Sequence, residues 1–226
     1  RASGPKPLQD LLDFTKEKGA RFLLVSTIHV YSAKISAEKL ASYFGEGRIF
    51  EGEFSHHEAK RFAEALTSEY AAKQGLDGRI VRIADVYGPR MMLTSGNLLA
   101  RLIKQAIYGD PLKVPGGEEE TLFPAFIDDV VEGIQKSLFS SGTRGKVIAL
   151  AGPRTSAFTA ATAVKIVVAK NPKLSQQIPG DLGIEFSGEE FPKKETTTEI
   201  LFSGQELISW KPRVLLEEGL AKTLTW

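Results

Sequence analysis

Four side chains able to hold or move a proton, Thr27, His56, Lys60 and Asp85, stand at or near the ends of short apolar runs. A histidine titrates near pKa ~6.5 and can take the proton of a hydroxyl at neutral pH. Lys60 follows His56 at the four-residue spacing that puts both on one helical face, and a neighbouring ammonium lowers an imidazole's pKa. A threonine hydroxyl both donates and accepts hydrogen bonds. The set is able to take part in acid and base chemistry. It does not point to a metal, and no metal site is expected. The chain's three histidines are His29, His56 and His57. Adjacent helical residues project about 100° apart, and no acidic residue stands at ligand spacing.

The elements that must position these groups follow from periodicity. Residues 21–26 are an apolar run ending in small hydroxyl residues, expected as a buried parallel strand with Ser26 and Thr27 at its carboxyl end. Ala59, Phe62, Ala63, Leu66 and Tyr70 recur at three- and four-residue spacing, the stripe of a helix that Gly75 ends. Residues 79–84 are a second apolar run, with Tyr87-Gly88-Pro89-Arg90 as a turn behind it. Strand, helix and strand in that order make a right-handed crossover, and open parallel sheets bind ligands beyond the carboxyl ends of their strands. Thr27, His56, Lys60 and Asp85 are expected to converge there.

Beyond residue 91 the pattern predicts a helix over 98–108 ended by Gly109, a helix over 130–139 started by Asp128 as cap, a strand over 146–150 and a helix over 158–170. Residues 171–190, with their prolines and glycines, read as a mobile loop. No internal repeat or low-complexity tract is found.

Composition excludes several classes. At 226 residues, 42% hydrophobic and 25% charged, the chain is globular and holds one sizeable core or one and a half small domains. A net charge of +1 without a basic cluster gives no field for nucleic acid. No apolar run approaches ~18 residues, so no membrane span is expected, and residues 1–19 are too polar for a secretory signal. Zero cysteines remove disulfides and thiolate metal sites, and the cytoplasm is the expected compartment.

Five stretches together resemble the extended short-chain dehydrogenase/reductases that act on sugar nucleotides, the NAD-dependent epimerases and dehydratases. They are Ser26-Thr27-Ile28-His29-Val30-Tyr31; the Lys60 helix; Arg82-Ile83-Ala84-Asp85-Val86-Tyr87-Gly88-Pro89-Arg90; Gly109-Asp110-Pro111-Leu112 through Phe126-Ile127-Asp128-Asp129-Val130-Val131-Glu132-Gly133; and Trp210-Lys211-Pro212 followed by a helix at Leu216 to Leu220. Within that family, Lys60-Arg61-Phe62-Ala63-Glu64 and Tyr87-Gly88-Pro89-Arg90-Met91 are similar to the UDP-glucuronate decarboxylase branch. The resemblance implies an α/β fold: part of a Rossmann-like parallel sheet, with a smaller α/β domain on the substrate side. It implies a remnant of the NAD-binding domain over 1–91 and a substrate-binding side over 92–226, with 124–152 returning to the sheet. The implied chemistry is a transient oxidation, in which NAD takes hydride from a sugar carbon and later returns it. A tyrosinate is the family's base. The lysine four residues on lowers that phenol from pKa ~10 and binds the nicotinamide ribose. By this resemblance Thr27, His56 and Lys60 occupy catalytic positions, Lys60 and Ile83 face the cofactor, and Thr27, His29, Asp85 and Arg90 face a nucleotide-sugar. A homodimer through the 56–74 helix, in a four-helix bundle, is also implied.

The departures from the family pattern matter as much. The lysine is kept, but His56 stands where the tyrosine belongs. Its ring is shorter by about a bond or two, and catalysis tolerates displacements of ~1 Å poorly. His56 is therefore either a working base or an exposed residue on the helix's first turn. His29 replaces a glutamate of the branch and is expected simply to line the cleft. Leu122 stands at the family's phosphate-binding arginine, beside Glu118-Glu119-Glu120, a solvated acidic loop that would repel a diphosphate. Asp85 replaces an asparagine, a charge of the wrong sign for that ligand. None of the 21 glycines forms Gly-x-x-Gly-x-x-Gly or Gly-x-Gly-x-x-Gly after a strand-like run, and Gly45-Glu46-Gly47 is a lone doublet, so no pyrophosphate cradle is found. We expect the chain to be a fragment. Two functions stay open: part of an NAD-dependent sugar-nucleotide-modifying enzyme, or a non-catalytic binding or scaffold protein derived from one.

Overall fold

The structure is a computed structural model that describes residues 5–31, 52–94, 97–115, 121–178, 181–187 and 204–225. The Gly45 doublet and Glu118 to Glu120 lie outside the described residues. The chain divides into two compact units: Arg1–Ala84 with Glu132–Leu150 and Lys194–Trp210, and Asp85–Val131 with Ala151–Lys193 and Lys211–Trp226.

The first unit is built on three parallel strands, β1 (Arg21–Thr27), β2 (Asp77–Ile83) and β7 (Val147–Leu150), in the order β1-β2-β7. The central β2 buries Ile80 and Val81 and β7 is apolar throughout, whereas Phe22 to Val25 of β1 are half-buried. β1 runs straight into a 3-10 turn, Ile28–Tyr31. Among the described residues, two helices precede β2: α1 (Pro5–Glu17) and α2 (Gly52–Lys73). Leu12 of α1, Tyr70 of α2 and Leu76 form a small core with Leu8, Phe22 and Leu66 against it, and the Tyr70 hydroxyl donates to Asp13 at 2.9 Å. Gly75, at φ 79°, makes the left-handed turn that closes α2 and sends the chain into β2.

The second unit surrounds a larger core made by α3 (Leu98–Tyr108), α5 (Ala157–Lys170) and α7 (Leu216–Leu224). Short strands pair beside it: β3 (Val86–Tyr87) with β6 (Ala125–Phe126), β4 (Leu112–Pro115) with β9 (Ile184–Ser187), and β5 (Thr121–Leu122) with β8 (Thr155–Ser156). The first two pairs are parallel and the third antiparallel. Asn97 caps α3 by accepting from Leu99 N–H at 2.8 Å, and Gly109 ends it at φ 73°, where the sequence places both boundaries.

Two expectations are corrected. The helix expected from Val130 begins at Ile127, directly after β6, as α4 (Ile127–Phe139). Asp128 and Asp129 thus sit inside its first turn, where negative charge favours the helix dipole, rather than before it. Residues 171–190 are not all loop. Asn171 accepts from Lys173 and Leu174 N–H and Pro172 opens a short helix, α6 (Pro172–Gln177), while β9 adds a strand beside β4. Proline and asparagine here start an element, and Ile178 and Leu182 are core residues.

Candidate active site

In the first unit the predicted residues gather at the carboxyl end of the sheet. Thr27 ends β1, is half-buried, and pairs in register with the half-buried Ile83 at the end of β2. Lys60 projects from α2 to the same strand end. Its Nζ donates to the Val25 carbonyl at 2.8 Å, two residues before Thr27. An ammonium carries three donors and this contact takes one. His56 lies one turn earlier on α2, exposed, at the spacing that shares Lys60's face. The backbone of His29 lies in the 3-10 turn immediately behind Thr27.

The polar face of α2 continues past Lys60. Glu64, almost fully buried, accepts from Arg82 of β2, whose Nε lies 3.0 and 3.2 Å from the two carboxylate oxygens, and an Nη2 contact closes the fork. Arg82 stands in register with Ser26 of β1. A charged pair inside an apolar crossover was not among the residues predicted to matter. The available signal was the spacing, since Glu64 falls one turn after Lys60 on the face that meets the sheet.

The other predicted residues belong to the second unit. Asp85 is buried at 8% exposure, and its Oδ2 accepts from Phe123 N–H at 2.9 Å while its own carbonyl accepts from Ala125 N–H at 3.0 Å. The carboxylate therefore grips backbone, as an asparagine's carbonyl oxygen would. Gly152 packs so closely on the Pro124 carbonyl that any Cβ would overlap it, which completes the clamp on residues 123–125. Arg90 is exposed and adopts φ 66°, a left-handed conformation rare for a residue with a Cβ. Before it, Gly88 at φ 155° fits against Ile127, where a side chain would collide. Leu122 is a core residue, 2% exposed, paired with Thr155. Asp129, also buried, accepts from Arg213 and Val214 N–H at 3.0 Å each and ties the segment before α7 to α4. Tyr87 is buried against Phe126 in an edge-to-face pair, and burial first, then Asp129 and Glu218, push its phenol well above the ordinary tyrosine range.

Among the described residues no group of three histidines or carboxylates is placed to hold a metal, and no helix is long and apolar enough to cross a membrane. Chemically, the first unit offers a hydroxyl and an anchored ammonium at one strand end, with an exposed imidazole one helical turn before the ammonium.

Solved structures share this fold. A UDP-N-acetylglucosamine 4-epimerase from Methanobrevibacter ruminantium M1 superposes with a TM-score of 0.75 at 18% identity, covering 98% of this chain and 67% of that one. The UDP-glucuronic acid 4-epimerase of Bacillus cereus, solved with UDP-glucuronic acid and NAD, gives 0.68 at 23% identity over 96% of this chain and 65% of its own. Among curated relatives, UDP-glucuronic acid decarboxylase 2 of Arabidopsis thaliana is 31% identical over 213 residues, 93% of this chain and 45% of that protein. UDP-glucuronic acid decarboxylase 1 of Xenopus tropicalis is 29% identical over 216 residues, 95% of this chain and 48% of its own. The chain thus spans about half the length of these curated relatives. The family model for the NAD-dependent epimerases and dehydratases matches residues 8–151, which hold β1, α2, β2 and the strand-end residues, and the chain belongs to that family.

Proposed function

We propose that this chain is the part of an NAD-dependent nucleotide-sugar-modifying enzyme that carries the catalytic helix and the substrate side, with a UDP-sugar as substrate. The observation that carries the reading is the Lys60 ammonium held on the Val25 carbonyl beside Thr27, with Ile83 in register. Membership of the family and the decarboxylase relatives support a UDP-glucuronate-like substrate.

The residues present fit one corner of NAD. An ammonium with donors beyond its strand contact suits the two hydroxyls of the nicotinamide ribose, and Ile83 offers an apolar side. The 226 residues contain no glycine-rich turn for the pyrophosphate, so no residue of this chain is assigned to that part. When bound, NAD accepts a hydride from the sugar and gives it back. The chain's own contribution is positional and electrostatic. Thr27 hydrogen-bonds the reacting hydroxyl, His56 in the tyrosine's place takes its proton and later returns it, and the positive charge of Lys60 favours the deprotonated form of that hydroxyl. Arg90, exposed in its turn, is assigned to an anionic end of the substrate. Asp85 serves that end indirectly, through its grip on residues 123–125.

A second reading rests on His56, an imidazole where the family has a phenol. With it the chain binds nucleotide-sugar without turning it over. Release of labelled carbon dioxide from carboxyl-labelled UDP-glucuronate with NAD separates the two. Turnover by the chain or by His56→Tyr supports the enzyme. With the glycine-rich NAD-binding segment of the family supplied in fusion, retained UDP-glucuronate binding with no turnover in either supports the binding protein, and no binding at all removes both.

We also assign a homodimer to the α1 and α2 face. Leu11 and Phe14 of α1 and Phe62 of α2 are 48%, 57% and 46% exposed, apolar side chains that water would otherwise meet.

A further inference from the structure

We propose that the buried Glu64–Arg82 pair is a positioning device for Lys60, fixing the rotation and axial register of α2 on the sheet so that the ammonium meets the end of β1. The functional meaning of that position rests on the reading above, but the positioning itself does not.

Near Lys60 the contact between α2 and the sheet is polar rather than apolar. Lys60, Glu64 and Thr67 follow at four- and three-residue spacing, one face of the helix. Glu64 and Thr67 are buried, at 7% and 1% exposure, and Lys60 is half-buried. The apolar anchor of α2, Tyr70 with Leu12 and Leu76 and with Leu66 packed against them, starts six residues beyond Lys60, roughly 9 Å along the helix. Apolar packing that far away is non-directional and tolerates a small roll or slide of the helix end. A planar guanidinium forked onto a carboxylate does not, because both oxygens must stay in its plane. Arg82 is itself fixed in the central strand, in register with Ser26 and next to Val81, which pairs with Val25. The fork and the Lys60 to Val25 contact therefore join adjacent points of the sheet to adjacent turns of one helix. Two such points define a direction where one would leave a pivot.

Buried ion pairs often add little stability over an apolar pair of similar volume. That weakness makes the idea testable. In the 226-residue chain, Glu64→Leu combined with Arg82→Met removes both members of the fork together. Lys60 is then read by its acetylation rate with acetic anhydride, resolved by mass spectrometry, alongside a urea unfolding curve. The expected result is a folded protein in which Lys60 reacts about tenfold faster or more, the protection that a charged hydrogen bond to a carbonyl supplies. A folded double variant with Lys60 still protected at the original rate overturns the proposal.

If the double variant does not fold, the comparison passes to Glu64→Gln against Tyr70→Phe, which loses the Asp13 hydrogen bond in the same unit. Faster Lys60 acetylation confined to Glu64→Gln supports positioning. Equal acetylation of the two at matched stability overturns it. Neither readout needs cofactor or substrate, so failure here leaves the proposed function untouched, and failure of turnover leaves this proposal standing.

Discussion

The ammonium of Lys60 and the carbonyl of Val25 meet at 2.8 Å, so the helix and the strand that precedes it are tied at the point where the strand delivers Thr27. A strand-end hydroxyl is useful only if its neighbours hold still, and this contact is one of the things that hold them. Lys60→Met keeps the stem and removes the contact. Unfolding free energy is expected to fall by about 1–3 kcal/mol in urea titration, as for the loss of a charged hydrogen bond.

Asp85 is expected to act as an acceptor rather than as a charge. Asp85→Asn retains an oxygen for Phe123 N–H, so stability should change by less than about 0.5 kcal/mol, while Asp85→Ala should cost about 1–2 kcal/mol. Thermal melts of the two variants decide it. An asparagine variant as unstable as the alanine one shows that the negative charge itself is needed.

The strand-helix-strand unit was readable because its signals are local: an apolar run, and glycines where the backbone turns left-handed, as at Gly75 and Gly109. The apolar stripe of α2, however, is not wholly its buried face: Ala59 and Phe62 are exposed while Glu64 and Thr67 are buried. The placement of Thr27 and Lys60 at one strand end was legible from the same topology. Asp85 was not, since its partner amide lies 38 residues away and an acidic residue at a strand end reads as a charge facing a ligand. Glu64 and Arg82 escaped notice because charged residues ordinarily mark solvent, and only tertiary pairing makes them interior. The helix at Pro172–Gln177 and the strand at Ile184–Ser187 were hidden by composition, because cap residues and loop residues are the same types.

Tyr87 carries a pH dependence of definite sign. Its folded pKa is raised, mainly by burial, so folding favours the neutral phenol. The contribution is complete below the unfolded pKa of ~10 and is lost as pH climbs from there towards the folded value. Urea unfolding at alkaline pH should therefore show a steeper loss in the native chain than in Tyr87→Phe. Parallel curves for the two proteins contradict the assignment.

Gly219, inside α7, lies against the Tyr87 hydroxyl, and an added Cβ would come within 2.8 Å of Tyr87 Cε2 and Phe126 Cδ2. Alanine gains about 1 kcal/mol in helix propensity, but overpacking costs about 1–3 kcal/mol. The clash is expected to win, with Gly219→Ala melting lower than the native chain by calorimetry. An unchanged or raised melting temperature means that Tyr87 moves aside freely.

For the dimer, Phe62→Glu places a charge in the assigned face without touching the small core of Leu12, Tyr70 and Leu76. Sedimentation equilibrium should pass from dimer to monomer. A native chain that sediments as a monomer at every concentration contradicts the assignment.

The most direct test of the strand-end site uses nicotinamide mononucleotide, which carries the nicotinamide and its ribose and needs no pyrophosphate cradle. Titrated at millimolar concentration onto the isotope-labelled chain, it is expected to give saturable NMR shifts at Thr27, Lys60 and Ile83 that vanish in Lys60→Met. Shifts confined to other residues, no saturable shift at all, or the same shifts in Lys60→Met would contradict the placement of the nicotinamide ribose on Lys60.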